Sequence, residues 1–545
     1  MHAQQTAATA IFPINRLPSP LVLVKRDIPF PREVLNESKV IELAGALLDG
    51  RRSVKGATID HSSSPDLDDA IWATALANGR YKIDVTIADV TAVIGKGSVT
   101  DAEAFLRGAT IYRNKTPLYP MMPRRLSENL LSLCEGAPKP TITISTTLNS
   151  GLEIEKIKIE RTAFLNPMRY SYAQVDAAID EKGHELGRMF RLSFSLAERL
   201  LAKRQKEGAL AFYSGKGGIV TTEDGTIINL ALNPHRNSRA SLIVQEFMIL
   251  ASRSAASVLI ESGVPALFRN HKAKPPEPDM EIILNELDKL SDSPTPLEIK
   301  MMRQKLDGMF ERAYYAPEAH GHFALGLRFP QAYTHVTSPL RRYPDMVNHR
   351  QLMAVIYGGS VMTREELEAI SQHINSRERE VRDETNTILK IERYTTAQRA
   401  LETNSPSALV NGDFSRLIKL ATRNGGMTEE IGKEIVKRLK AKKLNEIDLF
   451  TILFEPKAEP QMWHEIKDMA LDFLKHNPGM ATYLYGIASQ AFNWPKIDFE
   501  TKISVSAKVA LGEHEFSSQV VDKSGRKGTR HRAVVDLLTQ IVRTD

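Results

Sequence analysis

A chain of 545 residues is too long for one hydrophobic core, so about three or four structural units are expected. Hydrophobic residues make up 42% of the chain and charged residues 25%, which is ordinary for a soluble globular protein and excludes a wholly disordered one. The net charge of +6 and the pI of about 9.0 favour polyanionic partners.

The single cysteine, Cys134, excludes an internal disulfide framework and is typical of a reducing compartment. The N-terminus lacks the basic patch and apolar run of a secretory signal. The most apolar stretch, residues 242–260, is a poor membrane span because polar residues interrupt it. We therefore expect a soluble, cytoplasmic protein with no membrane partner, and nothing in the sequence indicates a protein partner.

The first part of the chain favours one large domain that mixes strands and helices. Residues 1–50 form a short, proline-spaced extension. Beyond it, residues 70–76 and 81–90 are rich in strand formers and are joined across Asn78-Gly79, which favours a tight hairpin. Residues 152–164 alternate apolar and charged side chains, as a half-solvated strand does. Helical periodicity then predicts helices over residues 172–179, 186–205, 241–262 and 296–315. The sequence therefore predicts an α+β domain over residues 51–402.

The rest of the chain predicts two smaller units. Residues 403–476 are helical in pattern and charged, with a clear amphipathic segment over residues 429–443. Residues 477–545 follow the order helix, three strands, helix. We expect a helical region followed by a small C-terminal α-β-β-β-α domain.

Four carboxylates lie within ten residues, at Asp60, Asp66, Asp68 and Asp69. Such a cluster repels itself unless cations compensate it. The Ser-Ser-Ser-Pro stretch before Asp66 can fold the chain back and bring carboxylates from both arms around one or two Mg²⁺ ions. An acidic surface turn, with aspartates capping backbone NH groups, fits the spacing equally well. An EF-hand calcium loop fits poorly, because Pro65 stands where that loop needs glycine.

A second candidate segment is residues 337–345 (TSPLRRYPD), in which Arg341 and Arg342 follow a Ser-Pro turn. Adjacent arginines can clamp phosphate oxygens with bidentate geometry. Taken alone, the pair is more often an ordinary surface feature. The helix after it can begin at Ser338-Pro339 or at Pro344.

The two segments together resemble the acidic and arginine motifs of the ribonuclease II / ribonuclease R family, whose catalytic unit is the RNB domain. The arginine motif of that family, TSPIRRYPD, differs here by one conservative change, at Leu340. Weaker matches lie between the two motifs in the family's order, at residues 87–90, 112–133, 208–212, 244–248 and 269–271. The resemblance covers about residues 50–400.

The resemblance implies a Mg²⁺-dependent exoribonuclease that hydrolyses single-stranded RNA from the 3′ end to nucleoside 5′-monophosphates, by two-metal catalysis. It implies that Tyr112 stacks on RNA bases and that Glu246 supports the RNA path. The implied metal ligands are Asp60, Asp66, Asp68 and Asp69, and the implied catalytic residues are Asp68, Arg341 and Arg342. The alternative is a catalytically weak, RNA-binding regulator built on the same fold. A further alternative is a nuclease that trims structured RNAs.

The chain departs from the family at both ends of this domain. Bacterial members carry two cold-shock-type OB folds before the catalytic domain and another OB fold after it, and neither pattern is evident here. Residues 480–545 instead resemble a degenerate double-stranded-RNA-binding domain. Lys527 and Arg530 belong to a basic cluster that is expected to contact duplex RNA. A fold kept for packing or dimerisation is the other reading of this segment.

Overall fold

The structure is a computed structural model that describes residues 29–544, apart from residues 44, 114–115, 166–167, 210–218, 222–226, 230–237, 276–307, 425, 442, 456–460, 502–504 and 521–525. The described residues divide into two compact units, the first ending at Glu384 and the second beginning at Thr385. This division falls inside one continuous helix, Arg364–Glu402. The domain limits predicted from the sequence, with a boundary at residue 402, stay a prediction.

The first unit contains strands and helices in alternation. Its strands are β1 (Arg52–Val54), β2 (Ala57–Asp60), β3 (Asp69–Ala75), β4 (Tyr81–Ala88), β5 (Ile111–Arg113), β6 (Thr116–Tyr119), β7 (Lys139–Leu148), β8 (Ile154–Phe164), β9 (Met168–Ser171), β10 (Ile219–Thr221), β11 (Ile227–Asn229), β12 (Phe268–Asn270) and β13 (Tyr314–Ala316). Its helices are α1 (Arg32–Val40), α2 (Val99–Arg107), α3 (Tyr172–Asp180), α4 (Gly187–Lys206), α5 (Arg239–Glu261), α6 (Tyr343–Tyr357) and the first part of α7 (Arg364–Glu402).

A seven-stranded sheet in the order β1-β8-β7-β4-β3-β2-β9 organises this unit. The β1–β8 and β2–β9 pairs are parallel and the other pairs are antiparallel. The predicted β3–β4 hairpin is confirmed, and Asn78 and Gly79 take positive φ angles of 60° and 69° in its turn. Because side chains alternate along a strand, Ile71, Ile83 and Ile144 point to one face, where they join the core formed with α4 and α5.

Helix α5 is long and apolar enough to cross a membrane by length and composition alone. Within the protein, however, 67% of its apolar window is buried. Its side chains belong to the core beneath the sheet, and Phe247, Ala255 and Leu259 are fully buried there. Packing against the sheet therefore accounts for the apolar character of this segment.

The predicted helix over residues 296–315 is wrong at its C-terminal end, because Gly308 and Met309 are helical but the residues after them are not. Tyr314 and Tyr315 lie in strand β13, which pairs antiparallel with β12. Most of the predicted helix falls on residues outside those described, as do the last three residues of the 208–212 motif.

The second unit confirms the predicted fold class. After the remainder of α7 come four helices, α8 (Asn411–Asn424), α9 (Glu429–Lys440), α10 (Glu446–Phe454) and α11 (Gln461–His476). The C-terminal elements are α12 (Pro478–Phe492), β14 (Asp498–Thr501), β15 (Val505–Leu511), β16 (His514–Val520) and α13 (Arg526–Thr544). The three strands form an antiparallel sheet in chain order. Helix α13 packs on it through apolar residues at helical spacing, Val534, Leu537, Leu538 and Ile541.

Candidate active site

The aspartate cluster lies where the chain folds back between two neighbouring strands. Asp60 is the last residue of β2 and Asp69 is the first residue of β3, and the two strands pair antiparallel at Ala57 and Ile71. Asp60 shapes the start of the connecting loop, because its Oδ1 accepts from the amide of His61 at 2.6 Å and from the hydroxyl of Ser64 at 2.8 Å. The fold-back therefore brings carboxylates from both arms to one end of the sheet.

Two residues outside the motif hold this loop in place. Arg169 on β9 donates from Nη2 to the carbonyl oxygens of His61, Ser62 and Ser64 at 3.3, 2.7 and 2.9 Å. The hydroxyl of Ser132 accepts from the amide of Leu67 at 3.0 Å and donates to the carbonyl of Pro65 at 2.9 Å. Sequence reasoning missed both residues. No pattern signals them, because single polar side chains distant in sequence find the loop only in the folded chain.

Asp68 joins the aspartate cluster to the arginine segment. Its side chain is 4% exposed, and its Oδ1 accepts from the amide of Leu340 at 2.8 Å. Its Oδ2 accepts from Nε of Arg341 at 3.2 Å. The two motifs that sequence reasoning singled out therefore meet through a charge-assisted contact in the first unit.

The two adjacent arginines have different surroundings. The side chain of Arg341 is 39% exposed and also donates from Nη2 to the hydroxyl of Ser338 at 2.7 Å. Arg342 donates from Nε and Nη2 to the two carboxylate oxygens of Asp345, each at 2.9 Å, and its side chain is 12% exposed. Helix α6 begins at Tyr343 with a proline in its first turn, which decides the alternative that the sequence left open. Arg341 is the more accessible of the two to a phosphate.

Burial dominates the ionisation of the aspartates. It raises the pKa of Asp66, raises that of Asp68 well above its ordinary value, and raises that of Asp69 to about 7. Neighbouring carboxylates add to the effect, Asp60 on Asp69 and both Asp66 and Asp69 on Asp68. Arg341 acts in the opposite direction on all three pKa values. Carboxylates crowded in this way need additional positive charge to be ionised together.

The chemistry of these donors fits a hard divalent cation, because carboxylate oxygens are the ligands that Mg²⁺ prefers. Among the described residues, no three acidic, histidine or cysteine side chains are already arranged as metal ligands. Asp66 accepts a hydrogen bond from Tyr112, and Asp68 accepts its bonds from Leu340 and Arg341. Asp60, Asp66, Asp68 and Asp69 are the residues whose carboxylates would hold such an ion.

Tyr112 stands on β5 at the edge of this cluster. Its hydroxyl donates to Oδ2 of Asp66, and 37% of the residue is exposed. Burial raises the pKa of Tyr112, so the phenol stays protonated and remains a donor. Tyr112 thus presents a partly exposed aromatic ring beside the carboxylates.

Glu246 lies elsewhere, inside the contact between α4 and α5. It is 1% exposed, and its two carboxylate oxygens accept from Nε and Nη2 of Arg204 at 2.9 and 2.5 Å. Arg204 also donates to the carbonyl of Leu325 at 3.1 Å. This buried ion pair does not present Glu246 to RNA, and a supporting role for it through the fold stays a prediction.

The two basic residues predicted to contact duplex RNA belong to the second unit. Arg530 is exposed in the first part of α13. Lys527 lies in the first turn of the same helix. Val534 in the same helix is buried, because its side of α13 packs on the C-terminal sheet.

Comparison with known proteins agrees with this geometry. The model of the RNB domain matches residues 51–358. Ribonuclease R of Thermotoga maritima is 30% identical over 403 residues, which cover 66% of this chain and 56% of that protein. Ribonuclease R of Aquifex aeolicus is 29% identical, with 66% of this chain and 55% of that protein covered. The chain thus spans about half the length of these curated relatives.

Solved structures show the same fold at low identity. Mycoplasma genitalium RNase R, in its apo form, superposes with a TM-score of 0.55 and 22% identity over 69% of this chain and 63% of that one. That protein has also been solved with ribose-methylated single-stranded RNA and with double-stranded RNA. Yeast Ssd1, described as a pseudonuclease, superposes with a TM-score of 0.52 and 20% identity over 66% of this chain and 47% of that one. Because the RNB model matches more than half of the chain, and both of its motifs meet in one site, this protein belongs to the RNB domain family of ribonuclease II and ribonuclease R exoribonucleases.

Proposed function

We propose that this protein is a Mg²⁺-dependent exoribonuclease that hydrolyses RNA from the 3′ end and releases nucleoside 5′-monophosphates. The observation that carries the proposal is the contact of Asp68 with Leu340 and Arg341. This contact places the anionic aspartate cluster, which is suited to a metal ion, next to the partly exposed guanidinium of Arg341. This is the combination that phosphodiester hydrolysis needs, because negative charge develops on the phosphate oxygens in the transition state.

Each residue of the site has a part in this reaction. Asp60, Asp66, Asp68 and Asp69 would hold one or two Mg²⁺ ions. When bound, the metal supplies Lewis-acid stabilisation and favours a hydrolytic nucleophile. Arg341 would bind a non-bridging oxygen of the scissile phosphate with its exposed guanidinium face. Asp68 orients that guanidinium through Nε and leaves its outer nitrogen atoms toward solvent and Ser338.

We propose RNA as the substrate, with single-stranded 3′ ends as the form that is engaged. The partly exposed ring of Tyr112 supports this proposal, since stacking grips any base and so suits a degradative enzyme. The complexes of Mycoplasma genitalium RNase R with single- and double-stranded RNA support RNA as the partner. Arg530 and Lys527 would add contacts to structured RNA, and we propose a cytoplasmic location.

A second candidate function is that of a catalytically weak, RNA-binding regulator. The likeness of the fold to Ssd1, a pseudonuclease, favours it. The site itself favours the enzyme, because all four aspartates and Arg341 are present and lie together. A nuclease that has lost its reaction has no need to keep buried carboxylates with raised pKa values, since they destabilise the folded protein at neutral pH.

Labelling the two ends of one RNA tests the direction of the reaction. With Mg²⁺, a 3′ label should be released at once as a mononucleotide, while a 5′ label should pass through progressively shorter products. Release of the 5′ label first would contradict the direction. Internal fragments in both experiments would indicate an endonuclease instead.

A further inference from the structure

Arg107, the last residue of α2, is a buried charge held between two aromatic rings. It is 2% exposed, and its guanidinium carbon lies 3.7 Å from the ring centroid of Phe30 and 4.2 Å from that of Tyr119. Its Nε donates to Glu103 at 2.7 Å, which compensates the charge. A desolvated cation between two ring faces is strongly held, because solvent does not screen the attraction. We call Phe30, Arg107 and Tyr119 the clamp.

The clamp closes the base of the β5–β6 hairpin. Arg107 precedes β5 in the chain, and its Nη1 donates at 3.0 Å to the carbonyl of Pro120, the residue that follows β6. Tyr119, the last residue of β6, forms one side of the clamp. The start and the end of the hairpin are thus both connected to Arg107. The same hairpin carries Tyr112, whose hydroxyl binds Asp66.

The chain that leaves the clamp pairs directly with the arginine segment. The amide of Thr110 donates to the carbonyl of Arg341 at 2.9 Å, and the amide of Tyr343 donates to the carbonyl of Gly108 at 2.9 Å. Ala109 and Arg342 form the antiparallel bridge between these two bonds. A shift of Arg107 would therefore move the backbone of Arg341 as well as the hairpin of Tyr112.

The segment that supplies Phe30 is fastened to the same region. Arg125 donates from Nη1 to the carbonyl oxygens of Ser38 and Ile41, the latter at 2.8 Å. The carboxylate of Glu37 on α1 accepts from the amide of Thr100 at the start of α2, at 2.6 Å. Phe30, just before α1, thus contacts Arg107 from a segment that is anchored at Glu37, Ser38 and Ile41.

We propose that Phe30 is a positioning residue for the active site, which acts through Arg107 to set Tyr112 and Arg341. Residues 29–43 are then part of the catalytic framework, although they precede the residues that the RNB model matches. The catalytic consequence rests on the proposed function. The mechanical consequence, that Phe30 holds the backbone pairing of residues 108–110 with residues 341–343, does not.

The test compares three variants of the full chain at a temperature where all are folded. Phe30→Ala removes one face of the clamp, Phe30→Tyr keeps the ring, and Leu35→Ala is the matched control on an exposed position of α1. With a short unstructured RNA and Mg²⁺, Phe30→Ala should raise KM and lower kcat, each by about fivefold to tenfold. Phe30→Tyr should restore both. Loss of folded molecules alone lowers the apparent kcat without raising KM, so the rise in KM separates positioning from simple destabilisation.

Hydrogen exchange provides a second readout that needs no activity. In Phe30→Ala the amides of Thr110 and Tyr343 should exchange about tenfold faster, while the amides of the β4–β7 ladder keep their protection. If the wild-type protein fails to degrade RNA, the proposed function falls, and exchange alone decides whether the clamp holds this pairing. If Phe30→Ala matches Leu35→Ala in both KM and local exchange, the inference is overturned.

Discussion

Nε of Arg341 donates to Oδ2 of Asp68 at 3.2 Å across 273 residues of sequence. The contact ties the loop before β3 to the loop before α6, and the amide of Leu340 strengthens it with a second bond to the same carboxylate. One side of this pair is buried and the other is partly open to solvent. A buried carboxylate that orients an accessible guanidinium is the geometric basis of the proposed phosphodiester hydrolysis.

Asp68→Asn should lower the rate of RNA hydrolysis by about 10³-fold or more, because the amide keeps the shape but removes charge that a metal site needs. Binding of RNA, measured by gel shift without Mg²⁺, should change little. The matched control is Asp180→Asn, which changes an acidic residue of α3 that pairs with Arg239. Activity of Asp68→Asn within about tenfold of the wild type would remove this cluster from the mechanism.

The two arginines should respond differently to the same substitution. Arg341→Lys keeps the charge but loses the planar fork, so kcat should fall about 10²-fold while stability changes by less than about 1 kcal/mol. Arg342→Lys breaks a bidentate bond to the buried Asp345 and should cost about 1–3 kcal/mol of unfolding free energy. Urea unfolding and steady-state kinetics on both variants measure the two effects. Equal losses of kcat without loss of stability would show that Arg342 also grips the phosphate.

The stabilisation by Mg²⁺ should increase with pH. Without metal, the pKa of Asp69 is raised in the folded state to about 7, from 3.8 for the ordinary side chain. The folded state therefore binds the proton of the Asp69 carboxyl group more tightly than the unfolded state does. The stability that this protonated carboxyl group contributes is fully present below pH 3.8 and is lost as the pH rises toward 7. Mg²⁺ requires the ionised carboxylates, so its effect on Tm should be larger at pH 8 than at pH 5.5, by about 2–4 °C.

Differential scanning fluorimetry at several Mg²⁺ concentrations measures this dependence, with EDTA as the metal-free reference. Asp68→Asn should reduce the Mg²⁺ effect at pH 8, whereas Asp180→Asn should not. An equal rise in Tm at both pH values in the wild type would place the stabilising ion away from this cluster.

The C-terminal domain should affect which RNAs bind and leave the chemistry intact. Lys527→Ala combined with Arg530→Ala should weaken binding to an RNA with a duplex beside a 3′ overhang. The salt dependence of that binding should also become flatter, because a protein that makes fewer phosphate contacts releases fewer counterions when it binds. Degradation of a short unstructured RNA at saturating concentration should change little. A matched control is Lys433→Ala with Lys437→Ala, two exposed lysines of α9. Equal weakening for both RNAs would indicate a general electrostatic grip, and no change would support the packing role of this domain.

Local sequence patterns predicted the parts of this protein that depend on neighbours in the chain. Asn78-Gly79 predicted the hairpin because the turn needs two residues that accept positive φ angles. The order helix, three strands, helix was predicted for residues 477–545, and the structure has these elements in that order. The spacing of the aspartates indicated the fold-back, since a short flexible stretch lies between the two arms.

Other features could not be predicted, because they arise from contacts between distant segments. The interpretation of residues 314–315 as helical failed, because pairing with β12 overrides a local periodicity. Arg169, Ser132 and the clamp at Arg107 carry no sequence signal, since a single arginine or serine becomes structural only through what folds against it. Likewise, the resemblance that named Glu246 could not show that Arg204 occupies both of its carboxylate oxygens.

The most direct test of the central claim is to identify the nucleotide released from an unstructured RNA by the purified protein, with Mg²⁺ and with or without orthophosphate. We expect nucleoside 5′-monophosphates at the same rate under both conditions, and none when EDTA replaces Mg²⁺. Nucleoside diphosphates that form only when orthophosphate is added would contradict hydrolysis. An intact RNA in every sample, from a protein that binds it, would show that this fold serves as an RNA-binding regulator.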